Sequence, residues 1–113
     1  MPAICLNESQ SALTAIANDF GVEEMFARQV EAHLGEGDIL IALSTSGKSP
    51  NILNAVKSGI QKNVDCYMWT GLTDFKIIGA RYWEVPSSSI PRIQEIHLIW
   101  GHILAEVVEL QLQ

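Results

Sequence analysis

The chain of 113 residues carries 7 Lys and Arg against 13 Asp and Glu, a formal net charge of −6 at pH 7. That balance excludes a basic stripe able to displace counterions from a phosphate backbone, so no nucleic-acid partner is expected. With 48% hydrophobic and 18% charged residues the chain is too apolar for disorder, and its length holds one domain, burying roughly 65% of the surface the extended chain exposes.

The opening Met1-Pro2-Ala3-Ile4-Cys5-Leu6 lacks the basic start and long apolar core of a secretory leader. No stretch reaches the ~20 apolar residues of a membrane span, so a soluble, cytoplasmic protein with no membrane contact is expected. Cys5 and Cys66 match no metal-ligand spacing and read as reduced, buried thiols.

Short β-branched apolar runs alternate with segments of helical period, the signature of an α/β fold. Pro2 to Leu6 reads as a strand and Ser11 to Asp19 as a helix. After Gly21, a second helix is expected over Val22 to Leu34, with Val22, Met25, Phe26, Val30 and Leu34 on one face. Ile39 to Leu43 is an unalternating apolar run, as expected of a central parallel strand buried on both faces. Ser49-Pro50 then opens a helix to about Lys62, serine as N-cap and proline as first helical residue. Val64 to Thr70 reads as a strand, Asp74 to Ala80 as a short helix and Tyr82 to Val85 as a strand near an edge.

After the turn Ser87-Ser88-Ser89, a long helix runs from Pro91 to about Leu112. Its apolar residues cover well over half the circumference, so it needs cover on more than one side. A partner subunit is the natural source. The first strand has no helix before it to shield the sheet, and a parallel sheet needs helices on both faces. A missing N-terminal portion is therefore expected.

The segment richest in chemistry is Ser44-Thr45-Ser46-Gly47-Lys48-Ser49-Pro50-Asn51, where a strand turns into a helix. Ligands of open α/β sheets bind at such ends. The helix start offers unpaired N–H groups and the positive end of its dipole, and four hydroxyls can turn toward phosphate oxygens. Because the net charge repels anions at long range, this local cradle has to supply the attraction. A P-loop reading fails at Ala42, which stands where the first glycine would be needed and lies within the strand.

With Ser11 to Gly21 before it, and with Arg92-Ile93-Gln94-Glu95-Ile96-His97 and Gly101-His102-Ile103-Leu104 after it, this loop resembles phosphoheptose isomerases of the sugar isomerase (SIS) domain family. The resemblance runs over nearly all of the chain. It implies a flavodoxin-like three-layer α/β sandwich with a mostly parallel sheet, truncated at its N-terminus. It also implies isomerisation of sedoheptulose 7-phosphate to D-glycero-D-manno-heptose 7-phosphate, and a homo-oligomer, a tetramer in the family, built through the terminal helix.

Carried over by position, Ser44, Thr45, Ser46 and Ser49 match the sugar-phosphate loop, and Asn18 and Asp19 match a substrate-contacting pair. Lys48 stands where asparagine is common. Gln94 and His102 match positions that contact substrate and a divalent metal, usually zinc, with His102 also the general acid/base. The family's glycine-rich Gly-Asn-Gly-Gly-Ser loop, catalytic glutamate and metal-binding histidine lie upstream of the matched part, so little or no activity is expected of these 113 residues alone.

On one helix, Gln94 and His102 stand about 80° apart around the axis and ~12 Å along it, which makes a single ion bridging both difficult. His97 reads as a packed or hydrogen-bonded histidine, and His33 as a cation complementing a helix C-terminus. The competing functional reading is a non-catalytic SIS module that binds a sugar phosphate or a protein partner, as in replication-initiator-binding relatives.

Overall fold

The computed structural model describes residues 1–113 as an α/β domain with one parallel three-stranded sheet, helices lying on both its faces. The elements in chain order are α1 (Gln10–Phe20), a single 3-10 turn (Val22–Glu24), α2 (Ala27–His33), β1 (Ile39–Leu43), α3 (Pro50–Gln61), β2 (Asp65–Gly71), β3 (Ala80–Val85) and α4 (Ile90–Leu112). The sheet order is β1-β2-β3, with Ile39 opposite Asp65 and Cys66 opposite Ala80.

The core lies between the sheet and the α2–α3 layer. Leu40 and Ala42 of β1 and Cys66 and Met68 of β2 point the same way by strand alternation, onto Val30 of α2 and Ala55 and Val56 of α3. Met68, Val30 and Val56 are fully buried. Gly59 of α3 allows the close approach, since a Cβ there would stand 2.8 Å from Cys66 Sγ.

Several expectations are corrected. Pro2 to Leu6 is not a strand: the only backbone hydrogen bond in this stretch is the turn contact from Glu8 N to Cys5 O, and without a ladder partner an apolar run has no strand to join. Cys5 is accordingly exposed rather than buried. The helix expected over Val22 to Leu34 is broken into the 3-10 turn and α2. The Gln29 side-chain amide donates to Met25 O at 2.8 Å, taking the carbonyl that a continuous helix would pair with the Gln29 backbone, and also reaches Leu6 O at 3.1 Å. Val22 consequently turns outward.

Asp74 to Gly79 is a loop rather than a helix and Ala80 already belongs to β3, because side chains satisfy backbone donors in and beside the loop. Thr73 N donates to Glu84 Oε1, Phe75 N to Thr73 Oγ1 and Ile77 N to the Tyr82 hydroxyl. This loop carries the β2-to-β3 crossover and sets Ile77 against the α3-side core. β1 is an edge strand buried on one face only: Ile39, Ile41 and Leu43 are 61%, 36% and 50% exposed. The central strand is β2.

α4 begins after Ser89, with proline in its first turn as expected, and crosses the other sheet face over β2. Only Ile93 and His97 of this 23-residue helix are buried. An aromatic cluster fills the space beneath it: Trp69 and Trp83 stack with centroids 5.6 Å apart, and Trp100 meets both edge-on.

Candidate functional site

A cleft of about 620 Å³ opens between the carboxyl end of β1 and the exposed side of α4. Leu43, Ser44, Thr45 and Ser49 form one wall, Trp69 the floor, and Gln94, His97, Leu98, Gly101 and His102 of α4 the other wall.

The loop wall is built by backbone geometry. Ser44 N donates to Trp69 O at 3.0 Å, extending the β1–β2 ladder past the strand, and Gly71 N donates to Thr45 O at 2.9 Å. Gly47 N then closes a turn onto Ser44 O at 3.0 Å. Gly47 has φ of +68°, a conformation that strains any side chain, and a Cβ would also crowd the Thr73 side chain at 3.2 Å. The turn brings Ser49 back toward the strand end, where the Ser44 hydroxyl donates to Ser49 Oγ at 3.1 Å.

Ser49 is the N-cap of α3, yet its hydroxyl makes no capping bond. The N–H groups of Thr45, Ser46, Ser49 and Asn51 find no acceptor within the chain, while those of Gly47, Lys48, Ile52 and Leu53 are all taken. Four free amides around one helix start form a pocket of partial positive charge suited to an anion. Lys48 does not add to it: its ammonium pairs with Asp74 at 2.8 Å and holds that carboxyl below the usual range.

Gln94, His97, Gly101 and His102 come from one long element, where steps of three and four residues share a face. His97 is 4% exposed, and its Nε2 lies 3.3 Å from Thr70 O, so that nitrogen donates to the carbonyl at the end of β2. The reading of His97 as a buried, hydrogen-bonded histidine holds, and the ring also lines the cleft. His97, Trp69 and Gly101 were not singled out for the site from sequence; the three-residue spacing from Gln94 to His97 was the available signal.

Of the residues expected at the site, Ser44, Thr45, Ser49, Gln94 and His102 come together in the cleft. Ser46 is exposed on the loop and accepts from Lys48 N at 3.1 Å. Asn18 and Asp19 lie exposed at the end of α1, outside the cleft lining, with the Asn18 amide donating to Asp19 Oδ1 at 3.0 Å. As for a metal, no three His, Cys, Asp or Glu side chains gather anywhere. Gln94 and His102 alone give one amide and one imidazole, which do not fill a four-coordinate zinc site. No candidate membrane span is present, since no helix is long and apolar enough to cross a bilayer.

The SIS domain family matches residues 1–71. The chain is 47% identical over 111 residues to a phosphoheptose isomerase of Burkholderia pseudomallei strain K96243, covering 96% of this chain and 56% of that protein. It is 46% identical over 112 residues to a phosphoheptose isomerase of Thermodesulfovibrio yellowstonii, covering 96% and 55%. Among solved structures it resembles phosphoheptose isomerase from Neisseria gonorrhoeae with a TM-score of 0.86 and 34% identity, over 94% of this chain and 61% of that one. The phosphoheptose isomerase from Francisella tularensis gives 0.88 and 34%, over 95% and 59%. The chain thus spans about half the length of the curated relatives it matches. On the match over residues 1–71, with the parallel sheet and serine-rich turn described above, the chain belongs to the SIS domain family.

Proposed function

We propose that this chain supplies the sugar-phosphate-binding half of a phosphoheptose isomerase site, acting on sedoheptulose 7-phosphate to give D-glycero-D-manno-heptose 7-phosphate. One observation carries the reading: the Ser44–Ser49 hydroxyl pair and the unpaired amides of Thr45 and Ser49 belong to one wall of a cleft whose other wall carries Gln94 and His102, with the free amides of Ser46 and Asn51 on the same turn. The names of the relatives supply the reaction class.

Moving a proton between C1 and C2 of a sugar phosphate through an enediol needs a base near carbon and an acid near oxygen. His102, which lines the cleft, is the group suited to that role, because imidazole exchanges protons near neutral pH. The serine loop holds the phosphate away from the reacting carbons, so its binding energy is spent on positioning them. No carboxylate lines the cleft, so the glutamate that pairs with His102 comes from outside that lining. Asn18 and Asp19 are proposed to reach the sugar from the end of α1. Gln94 and His102 are this chain's contribution to a divalent metal, zinc by the resemblance, and no step is assigned to it.

The exposed apolar side of α4 away from the cleft, including Ile99, Ile103, Val107 and Leu110, is the surface proposed to join copies into a homo-oligomer, four by the resemblance. A solution mass of 12.5 kDa, that of one chain, speaks against it.

The test of the binding reading is calorimetric titration of wild type and Ser49→Ala with sedoheptulose 7-phosphate. Losing a charge-assisted hydrogen bond to phosphate weakens affinity about tenfold or more, while stability falls by about 1 kcal/mol for the lost Ser44–Ser49 bond alone, since Ser49 makes no side-chain cap. Equal affinities would remove the loop from the site.

A further inference from the structure

The cleft contains a polar group that the reading above leaves unused. We infer that His97 is a ligand-binding residue, its Nδ1 accepting a hydrogen bond from a hydroxyl of the polyol chain of the bound sugar phosphate. This rests on the proposal that the cleft takes such a ligand.

The orientation follows from the bond on the other side of the ring. Nε2 faces Thr70 O at 3.3 Å, and a carbonyl only accepts, so Nε2 carries the proton. In the neutral imidazole Nδ1 is then the lone-pair nitrogen. The ring has little freedom to turn, since Trp69 and Trp100 pack against it with centroids 6.2 and 5.6 Å away.

Nδ1 makes no hydrogen bond within the chain, yet the one side-chain polar atom both sealed from solvent and unpartnered is Thr70 Oγ1. Nδ1 therefore meets accessible space, and the space His97 borders is the cleft. Gly101, one turn further along the same face of α4, has nothing within 4 Å of where its Cβ would stand. Glycine inside a helix costs about 1 kcal/mol relative to alanine, and no packing requires it there. What its missing side chain provides is room beside His97. An apolar aromatic floor with one fixed acceptor suits a sugar chain, which presents C–H faces and hydroxyl donors together.

Two variants separate this role from a structural one. In His97→Gln the side-chain amide keeps a donor near the Nε2 position and loses the acceptor at Nδ1. In His97→Asn a polar atom stays near Nδ1 and the bond to Thr70 O is lost. The expected result is that His97→Gln unfolds in urea near the wild-type midpoint but binds sedoheptulose 7-phosphate about tenfold more weakly, with inorganic phosphate binding unchanged. His97→Asn is expected to lose stability and keep more of the sugar affinity. Long-range proton–nitrogen spectra of the wild-type imidazole should show the Nε2–H tautomer, with Nδ1 shifting on sugar phosphate and not on inorganic phosphate.

Wild-type sugar affinity in His97→Gln, or an Nδ1 resonance indifferent to the sugar while the loop amides respond, overturns the role of His97 and leaves the phosphate loop standing. Loop amides that respond to neither ligand overturn the phosphate site and this inference with it.

Discussion

The two faces of the sheet differ sharply. On the α2–α3 face, Leu40, Ala42, Cys66 and Met68 are covered, and the fully buried residues Val30 and Val56 come from the helices above them. On the α4 face, Trp69 is covered but Ile39, Ile41 and Leu43 of β1 stay open, since α4 packs over β2 and leaves the neighbouring strand bare. The first face holds the fold together. The second keeps a gap between β1 and α4, and that gap is where Thr45 and Ser49 with their free amides, two histidines and Gln94 meet. The proposed ligand site lies where packing is incomplete, because a ligand needs the space and hydrogen bonds that a finished core would consume.

Substitutions on the two faces should separate accordingly. Met68→Ala opens a cavity in the closed face and is expected to cost about 2–5 kcal/mol, measured by urea unfolding. Ile39→Ala on the open face is expected to change stability by no more than ~0.5 kcal/mol. Comparable losses at both positions would show that something covers β1 in solution.

Gly71→Ala comes next, because Gly71 sits at the junction of β2, the serine loop and the start of α4. A Cβ would lie 2.6 Å from Ile93 Cδ1 and 2.9 Å from Thr45 O. Overpacking of this kind costs about 1–3 kcal/mol. It should also disturb Thr45, so unfolding midpoint and sugar-phosphate affinity should fall together.

A smaller effect is expected at alkaline pH from the closed face. Burial pushes the Cys66 thiol up to about 11 from its ordinary 9.0, with the neighbouring Asp65 charge adding to the rise. A raised folded-state value means that the folded chain holds its proton more tightly, so the contribution is whole below pH 9.0 and declines as pH climbs toward about 11. Unfolding midpoints across that window should fall in wild type and stay flatter in Cys66→Ala.

The smallest effect belongs to Glu84, which the Lys76 ammonium and Thr73 N–H hold below its usual range. Its lowered value gives a contribution present at neutral pH and lost as pH falls through and beneath the ordinary carboxylate range. Glu84→Gln should remove that acid sensitivity, with little change otherwise, since exposed ion pairs are weak.

How much was legible in the sequence follows from how local each cause is. α3 was readable because Ser49-Pro50 is a start signal within two residues, and α4 because its apolar period persists over many turns. The serine loop was readable because glycine and four hydroxyls stand between a strand run and a helix start. The break at Met25 was not, because the Gln29 side-chain amide four residues beyond it decides it, with help from Leu6 far back in the chain. The loop over Asp74 to Gly79 was hidden likewise, since Glu84 and Tyr82 of the following strand capture its amides. An apolar run such as Ile39 to Leu43 says that both faces suit burial; whether both are covered depends on neighbours that periodicity within the run does not reveal. The burial of His97 is legible from its setting on an apolar helix, while its place in the cleft depends on which side of α4 meets β2.

The most direct measurement is an amide-resolved titration of the labelled chain with sedoheptulose 7-phosphate. If the serine loop grips the phosphate, the N–H signals of Thr45, Ser46, Ser49 and Asn51 move together and saturate. Saturable shifts confined to other parts of the molecule, with residues 44–51 unmoved, would contradict it.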